Sequence, residues 1–373
     1  MNTGRTLAEL AAELDRQTKT RRDYIAPQSK IEPVILEHAG APVVMLDGIN
    51  GGPMPLTEHA HGQMADHLGV PKRYYDRMRA EQPHLLATNI RTWLHADGDN
   101  QRMIRALDGH VRAVLSPKFR PLDNYDLMGA ILPTLIEHRV QVVSSQVTET
   151  RLYVKAILPT LSDELPVGLA WGTGHNRVGG EGLDRGRVVS AITISNSDVG
   201  AGALSIEPSV FTSWCTNMAI LKAMAMKKHH VGARATAADG SYEVFADDTR
   251  AADNRAFWLK VRDVTIAAFD EKQFRKAVAD LRATAERPIL DADLIGVVTR
   301  TVETLELPPA AASPILSFLA AGGDLSQWGL GSAITRQAGE IEDYETSTVF
   351  ERAGGALLAL PAAQWATIAG VAA

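Results

Sequence analysis

Residues 188–217 read VVSAITISNSDVGAGALSIEPSVFTSWCTN. An apolar, β-branched run enters a polar elbow at Ser195, Asn196, Ser197 and Asp198. Gly200 and Gly202 follow, then a second strand-like piece, then Cys215, the chain's only cysteine, and Asn217. Apolar β-branched runs bounded by Gly, Asn, Asp and Ser read as strands that turn back on themselves. The stretch therefore sets the core sheet. Small polar side chains at a strand end bond nearby backbone, and glycine allows positive φ or a bulge. On that reading Ser195, Asn196, Ser197 and Gly200 are a structural motif. Cys215 packs as a small hydrophobe, and Asn217 launches a helix to about His230. The elbow also admits a second reading, a serine nucleophile beside a carboxylate. That chemistry needs a base within hydrogen-bond reach and a third group to orient it.

Outward from the elbow, the pattern is hairpins and helices. MIRALDGHVRAVLS (103–116) alternates on both sides of Asp108-Gly109, the pair favoured in a type I′ turn. VQVVSSQV and RLYVKAIL form a second hairpin around Thr148-Glu149-Thr150, and Pro33–Glu37 with Pro42–Leu46 a third. Asp123 is placed to cap a helix ending near His138. Residues 161–186 are glycine-rich and read as a long irregular loop. Residues 5–17 carry Leu7, Leu10, Ala11 and Leu14 on one helical stripe. Lys19–Lys30 is polar and basic and reads as a linker. Thr57 starts a helix that Gly69 ends, and Pro71 opens the next. The pair resembles a helix-turn-helix, and equally two helices packed across a short turn. Past Arg234 only helical patterns follow, at about 249–286, 291–305, 312–320, 324–337 and 343–356. The expected fold class is α+β: an antiparallel, hairpin-rich sheet packed with helices, followed by an all-helical C-terminal subdomain. The expected divisions are 1–100, 101–235 and 236–373.

Charge and motif content narrow the function. The chain of 373 residues carries a net charge of −6, divided unevenly. Residues 1–235 hold 26 Lys+Arg against 24 Asp+Glu, and residues 236–373 hold 12 against 20. A polyanion therefore suits the first part only. No phosphate-cradling P-loop, HExxH, GxSxG or CxxC occurs, so no cofactor and no metal site are expected. His59, His61 and His67 lack one-face spacing and read as surface residues. One cysteine, no apolar leader region and no long apolar run suggest a cytoplasmic protein.

The basic candidates are Lys222, Lys227, Lys228, His229, His230 and Arg234, in a segment with no acidic residue, joined by Arg177, Arg185 and Arg187 of the loop and by Lys118 and Arg120 after the first hairpin. Converging, they would track a phosphate backbone, with Trp171, Phe119 or Tyr153 as stacking platforms. The alternative is a solvated helix end whose cations favour its C-terminus.

Four segments carry a resemblance: LTEHAHGQMADHLGVPKRYYDRM, VRAVLSPKFRPLDNYDLM, ISNSDVGAGALSIEPSVFTSWCTNMAI and WGLGSAITRQAGEIEDYETSTVFERAGG. They look like a phage/plasmid-like family built on a domain of unknown function. Ser-Asn-Ser-x-x-Gly followed by Cys-Thr-Asn is the most specific part. Met218 stands where that family usually has glycine. The resemblance implies a place near recombination, replication and anti-restriction genes of mobile elements. The hairpin–helix texture is also similar, at fold level, to single-strand-annealing recombination proteins. Together these suggest a non-enzymatic single-stranded-DNA-binding protein that self-associates as a homo-oligomer. The alternatives are a protein-interaction or anti-defence factor that engages a protein partner through the acidic C-terminal part, and a hydrolase or nuclease.

Overall fold

A computed structural model describes residues 4–38, 41–49, 52–96, 98, 100–164, 187–212, 217–220, 226–228 and 247–370. The chain is α+β with antiparallel sheets and a helical C-terminal region. It opens with α1 (Leu7–Thr20), started by a capping box in which Thr6 and Glu9 satisfy each other's backbone amides. β1 (Arg22–Pro27) follows, then the β2 (Glu32–His38) and β3 (Ala41–Asp47) hairpin with β4 (Met54–Pro55) beside it. α2 (Glu58–Leu68) is capped by Thr57 and ended by Gly69 at φ 64°. α3 (Lys72–Glu81) and α4 (Pro83–Ala96) complete this region.

β5 (Gln101–Leu107) and β6 (His110–Leu115) are joined through Asp108 and Gly109, both at positive φ (52° and 76°), as a type I′ turn requires. β1 pairs with β5, so the sheet runs β1-β5-β6. α5 (Asn124–Glu137) then leads to the main sheet: β7 (Gln141–Val147), β8 (Leu152–Glu164), β9 (Arg187–Asn196), β10 (Leu204–Thr212), β11 (Asn217–Ile220) and β12 (Met226–Lys228). Its order is β11-β10-β9-β8-β7, with β12 also on β10. β11 takes Ser209–Thr212 and β12 takes Leu204–Ile206. Pro208, between these two segments, pairs in register with Ile192 of β9.

One face of this sheet is apolar, while the other mixes buried polar side chains with an apolar patch of Ile157, Val189, Ala191, Phe211 and Met218. Side chains alternate along each strand. One face carries Val154, Ala156, Ile192, Ile194, Leu204 and Ile206 against α1, α5 and α6 (Asp247–Ala267). The other carries Lys155, Thr193, Ser195, Ser205, Glu207 and Ser209, all buried. After α6 come α7 (Glu271–Ala285), α8 (Leu294–Thr304), α9 (Ala312–Gly322), α10 (Gln327–Gly339), α11 (Tyr344–Leu358) and α12 (Ala362–Ile368). α8 to α12 share a core of their own around Val298, Ile315, Leu330, Ile334 and Leu357. They are also joined to the sheet. Trp328 and Leu358 pack with Val188, Val210, Ala219 and the α7 residues Phe274 and Leu281.

Several expectations are corrected. Lys19–Lys30 is not a linker, because Arg22–Pro27 is a paired strand. Asn217 begins a strand rather than a helix. Lys227 and Lys228 likewise stand on a strand, so the described parts of the expected helix, 217–220 and 226–228, pair with β10 instead. The helical pattern over 249–286 is two helices, the second N-capped by Asp270. The expected division at residue 100 falls inside a single sheet, since β1 precedes it and β5 and β6 follow.

Candidate nucleic-acid interface

Every polar member of the Ser195–Asp198 elbow is engaged. Ser195 Oγ lies 2.9 Å from Ser205 Oγ across the strand pair. The Asn196 amide donates to the Leu122 carbonyl at 2.7 Å and to Asn124 Oδ1 at 2.8 Å, tying β9 to the start of α5. Ser197 Oγ accepts from the Ala201 amide at 2.8 Å. Gly200 has φ 81°, and a Cβ there would stand 2.7 Å from Leu115 and 3.7 Å from the Phe119 ring. The Asp198 carboxylate meets the Arg112 guanidinium at 3.3 Å. Among the described residues no histidine meets Ser195. The nearby His59 donates through Nε2 to the Val199 carbonyl at 3.0 Å.

A residue that sequence reasoning passed over anchors the elbow. Arg105 is 2% exposed. It donates to Asp23 at 2.9 Å, to Asp123 at 2.7 Å and to the Asp198 carbonyl at 2.5 Å. Arg21 adds a 2.8 Å ion pair to Asp123. Asp123 thus sits at the N-cap of α5 while its carboxylate serves two guanidinium groups instead of capping the helix. Burial opposes charge on Arg105, and the carboxylates of Asp123 and Asp23 more than offset it, so its pKa is raised. Arginine's fixed fork suits this convergence in a way lysine's point charge would not.

From the elbow, a polar chain crosses the sheet. Ser205 donates to Glu207 at 3.3 Å, and Arg352 of α11 pairs with Glu207 at 2.6 Å. Beside it Lys155 and Glu351 are both fully buried, their head groups 2.6 Å apart. The contact is ionic without hydrogen-bond alignment, and neither head group gains another hydrogen-bond partner among the described residues. Lys155 Nζ also lies 4.5 Å from the centre of the Tyr344 ring. Burial pushes the Lys155 pKa down and the Glu351 pKa up, each only partly opposed by its partner. A lysine inside the apolar run LYVKAIL was the available signal, since such a residue demands a buried counter-charge. Its partner lies far along the chain.

The expected histidine exposure is also corrected. His61 is buried, with Nδ1 2.9 Å from the Tyr75 hydroxyl, and burial lowers its pKa to about 4. His67 meets Gln28 at 3.2 Å. In the α2–α3 pair, Lys72 and Arg79 are both ion-paired to Glu58.

The basic candidates divide into three sets. Arg177, Arg185, Lys222, His229, His230 and Arg234 lie outside the described residues, as do Cys215 and Trp171. Arg120 and Arg187 are engaged internally. Arg120 pairs with Asp253 at 2.8 Å and lies 5.2 Å from the Phe257 ring centre. Arg187 donates to Ser162 and to the Pro159 carbonyl. Tyr153 is buried against Tyr344, so it is no base-stacking platform. The third set is exposed: Lys118, Lys227 and Lys228, with no ion pair among the described residues. Lys228 pairs in register with Leu204 and Lys227 with Ser205, just after the β9–β10 turn. Lys118 adjoins Phe119, which touches that same turn at Gly200. Among the described residues no group of three or more His, Cys, Asp or Glu side chains is placed to hold a metal ion. No helix among them is long and apolar enough to cross a membrane.

No known protein family, no curated protein and no solved structure matches this chain.

Proposed function

We propose that the protein is a non-enzymatic single-stranded-nucleic-acid-binding protein of a mobile genetic element, acting in the manner of an annealing protein. The observations that carry the reading are that exposed Lys227 and Lys228 stand on β12 beside the strand just after the β9–β10 turn, and that exposed Lys118 precedes Phe119, whose ring lies near Gly200 of the same turn. Exposed cations with no ion-pair partner among the described residues, near an aromatic ring, are the elements of sequence-tolerant strand binding. The elbow supports the same reading by elimination. Ser195 is buried against another serine, and Asp198 is committed to Arg112. The resemblance to phage/plasmid-like proteins belongs to this proposal, as does self-association on a strand.

Fluorescence anisotropy of a labelled oligonucleotide, titrated against salt, tests it. Five phosphate contacts would give a log–log slope of about −3.5 for a single strand. Replacing Lys118, Lys227 and Lys228 together by glutamate should make the slope shallower by about 2, since each contact contributes roughly 0.7. A flat salt response, or a triple variant that binds like the parent, refutes the proposal.

A further inference from the structure

A cavity of about 430 Å³ lies between the β9–β10 strands and helices α6 and α7. This lies within the size range of small-molecule sites, roughly 300–1,000 Å³. Its sheet wall includes Pro208 and Val210, and its helix wall Phe274, Ala277 and Leu281; Leu358 closes one end. One feature separates it from a packing defect. Ser190 lines it and is 3% exposed, and its hydroxyl makes no side-chain hydrogen bond to another described residue. That oxygen is not sealed off from the cavity, so it is available to an occupant.

The rim is charged. Asp270, Gln273, Lys276 and Asp280 stand at the cavity, all exposed. Lys276 is held by Asp280 at 2.8 Å, which leaves the Asp270 charge in excess. We propose that this cavity is a binding site for a small organic cation. Its apolar body lies against Phe274, Ala277 and Val210. Its ammonium end faces Asp270, whose Oδ1 also caps α7 at the Gln273 amide. A hydrogen-bonding group at the inner end meets Ser190. The site is separate from the lysines at the β9–β10 turn and does not depend on nucleic-acid binding.

The test uses the full chain and two fluorescent probes of equal body, 1-naphthylmethylammonium and 1-naphthoate. The cation should bind saturably, one per chain, and the anion at least about fivefold more weakly. Ala277→Phe fills the cavity from α7 and should abolish binding of the cation while leaving the melting temperature unchanged or higher. If that variant fails to fold, Ala359→Leu, from the far end of the wall, replaces it with the same expectation. Absence of saturable binding, equal binding of both probes, or undiminished binding in a folded, cavity-filled variant overturns the proposal.

Discussion

At the residue scale, buried charge decides what can be changed. Arg105 joins Asp23, Asp123 and the Asp198 backbone at one point. Its removal leaves carboxylates and a carbonyl without their donor. Arg105→Met should cost about 3–5 kcal/mol in urea unfolding at neutral pH. Arg105→Lys should recover little of that, because a single ammonium cannot span the three acceptors. Lys155 and Glu351 behave differently, since their pairing is poorly aligned and fully buried. Either single replacement, Lys155→Met or Glu351→Leu, should destabilise by about 3–5 kcal/mol, whereas the double replacement should come close to the parent or exceed it. A double-mutant cycle of unfolding midpoints reads this directly. His61 gives the pH dependence. Its native pKa, lowered to about 4 by burial, lies below the unfolded value near 6.5. The unfolded chain binds the extra proton between those values. Stability is therefore complete above pH 6.5 and falls as pH drops towards 4, by up to about 3 kcal/mol. His61→Gln should flatten that part of the stability–pH curve.

At the element scale, close approach matters more than propensity. A Cβ on Gly355 of α11 would stand 2.0 Å from the Ile220 carbonyl of β11. Backbone cannot yield as a side-chain tip can, so Gly355→Ala should lift α11 from the sheet edge and cost about 2 kcal/mol or more, despite alanine's better helix propensity. A lowered thermal midpoint checks it. The elements legible from sequence were those set by local chemistry. Asp108-Gly109 dictates its turn, Thr57 and Gly69 bound their helix, and alternation marks β7 and β8. The elements that were missed depend on distant partners. RDYIAP becomes a strand because β5, some eighty residues on, offers it a ladder. Met226–Lys228 lies among good helix formers, yet β10 supplies the pairing that overrides them. The site was legible to the same degree. The elbow's small polar residues announced a strand end, while Arg105 and the Lys155–Glu351 pair carried no local mark of their partners.

At the scale of the whole molecule, the acidic C-terminal helices are part of the core. α11 supplies Glu351 to Lys155 and Arg352 to Glu207, and Tyr344 meets Ser144 at 2.5 Å. Ending the chain near residue 240 would expose Leu204–Ile206 and the α5 face that α6 covers, and would strand Lys155 without its counter-charge. The shortened chain should therefore fail to show a cooperative melt by circular dichroism, instead of surviving as a smaller binding module. Partner recognition through this region is better tested by surface charge reversals on α7, whose exposed face carries Glu271, Lys272 and Arg275.

The polar face of the main sheet has a consequence during synthesis. Ser144 and Tyr344, which meet across it, are 200 residues apart. At roughly 5–20 residues per second, the ribosome needs about ten to forty seconds to supply the helix that covers this face. Through that interval α1 and α5 can cover part of the oily face before α6 completes it. The waiting face shows water Ser144, Lys155, Thr193, Ser195, Ser205 and Ser209, but beside them also Ile157, Val189, Ala191 and Phe211. A nascent chain built this way holds a mixed patch open until α11 arrives, and that patch is where a chaperone or a neighbouring chain would first engage it.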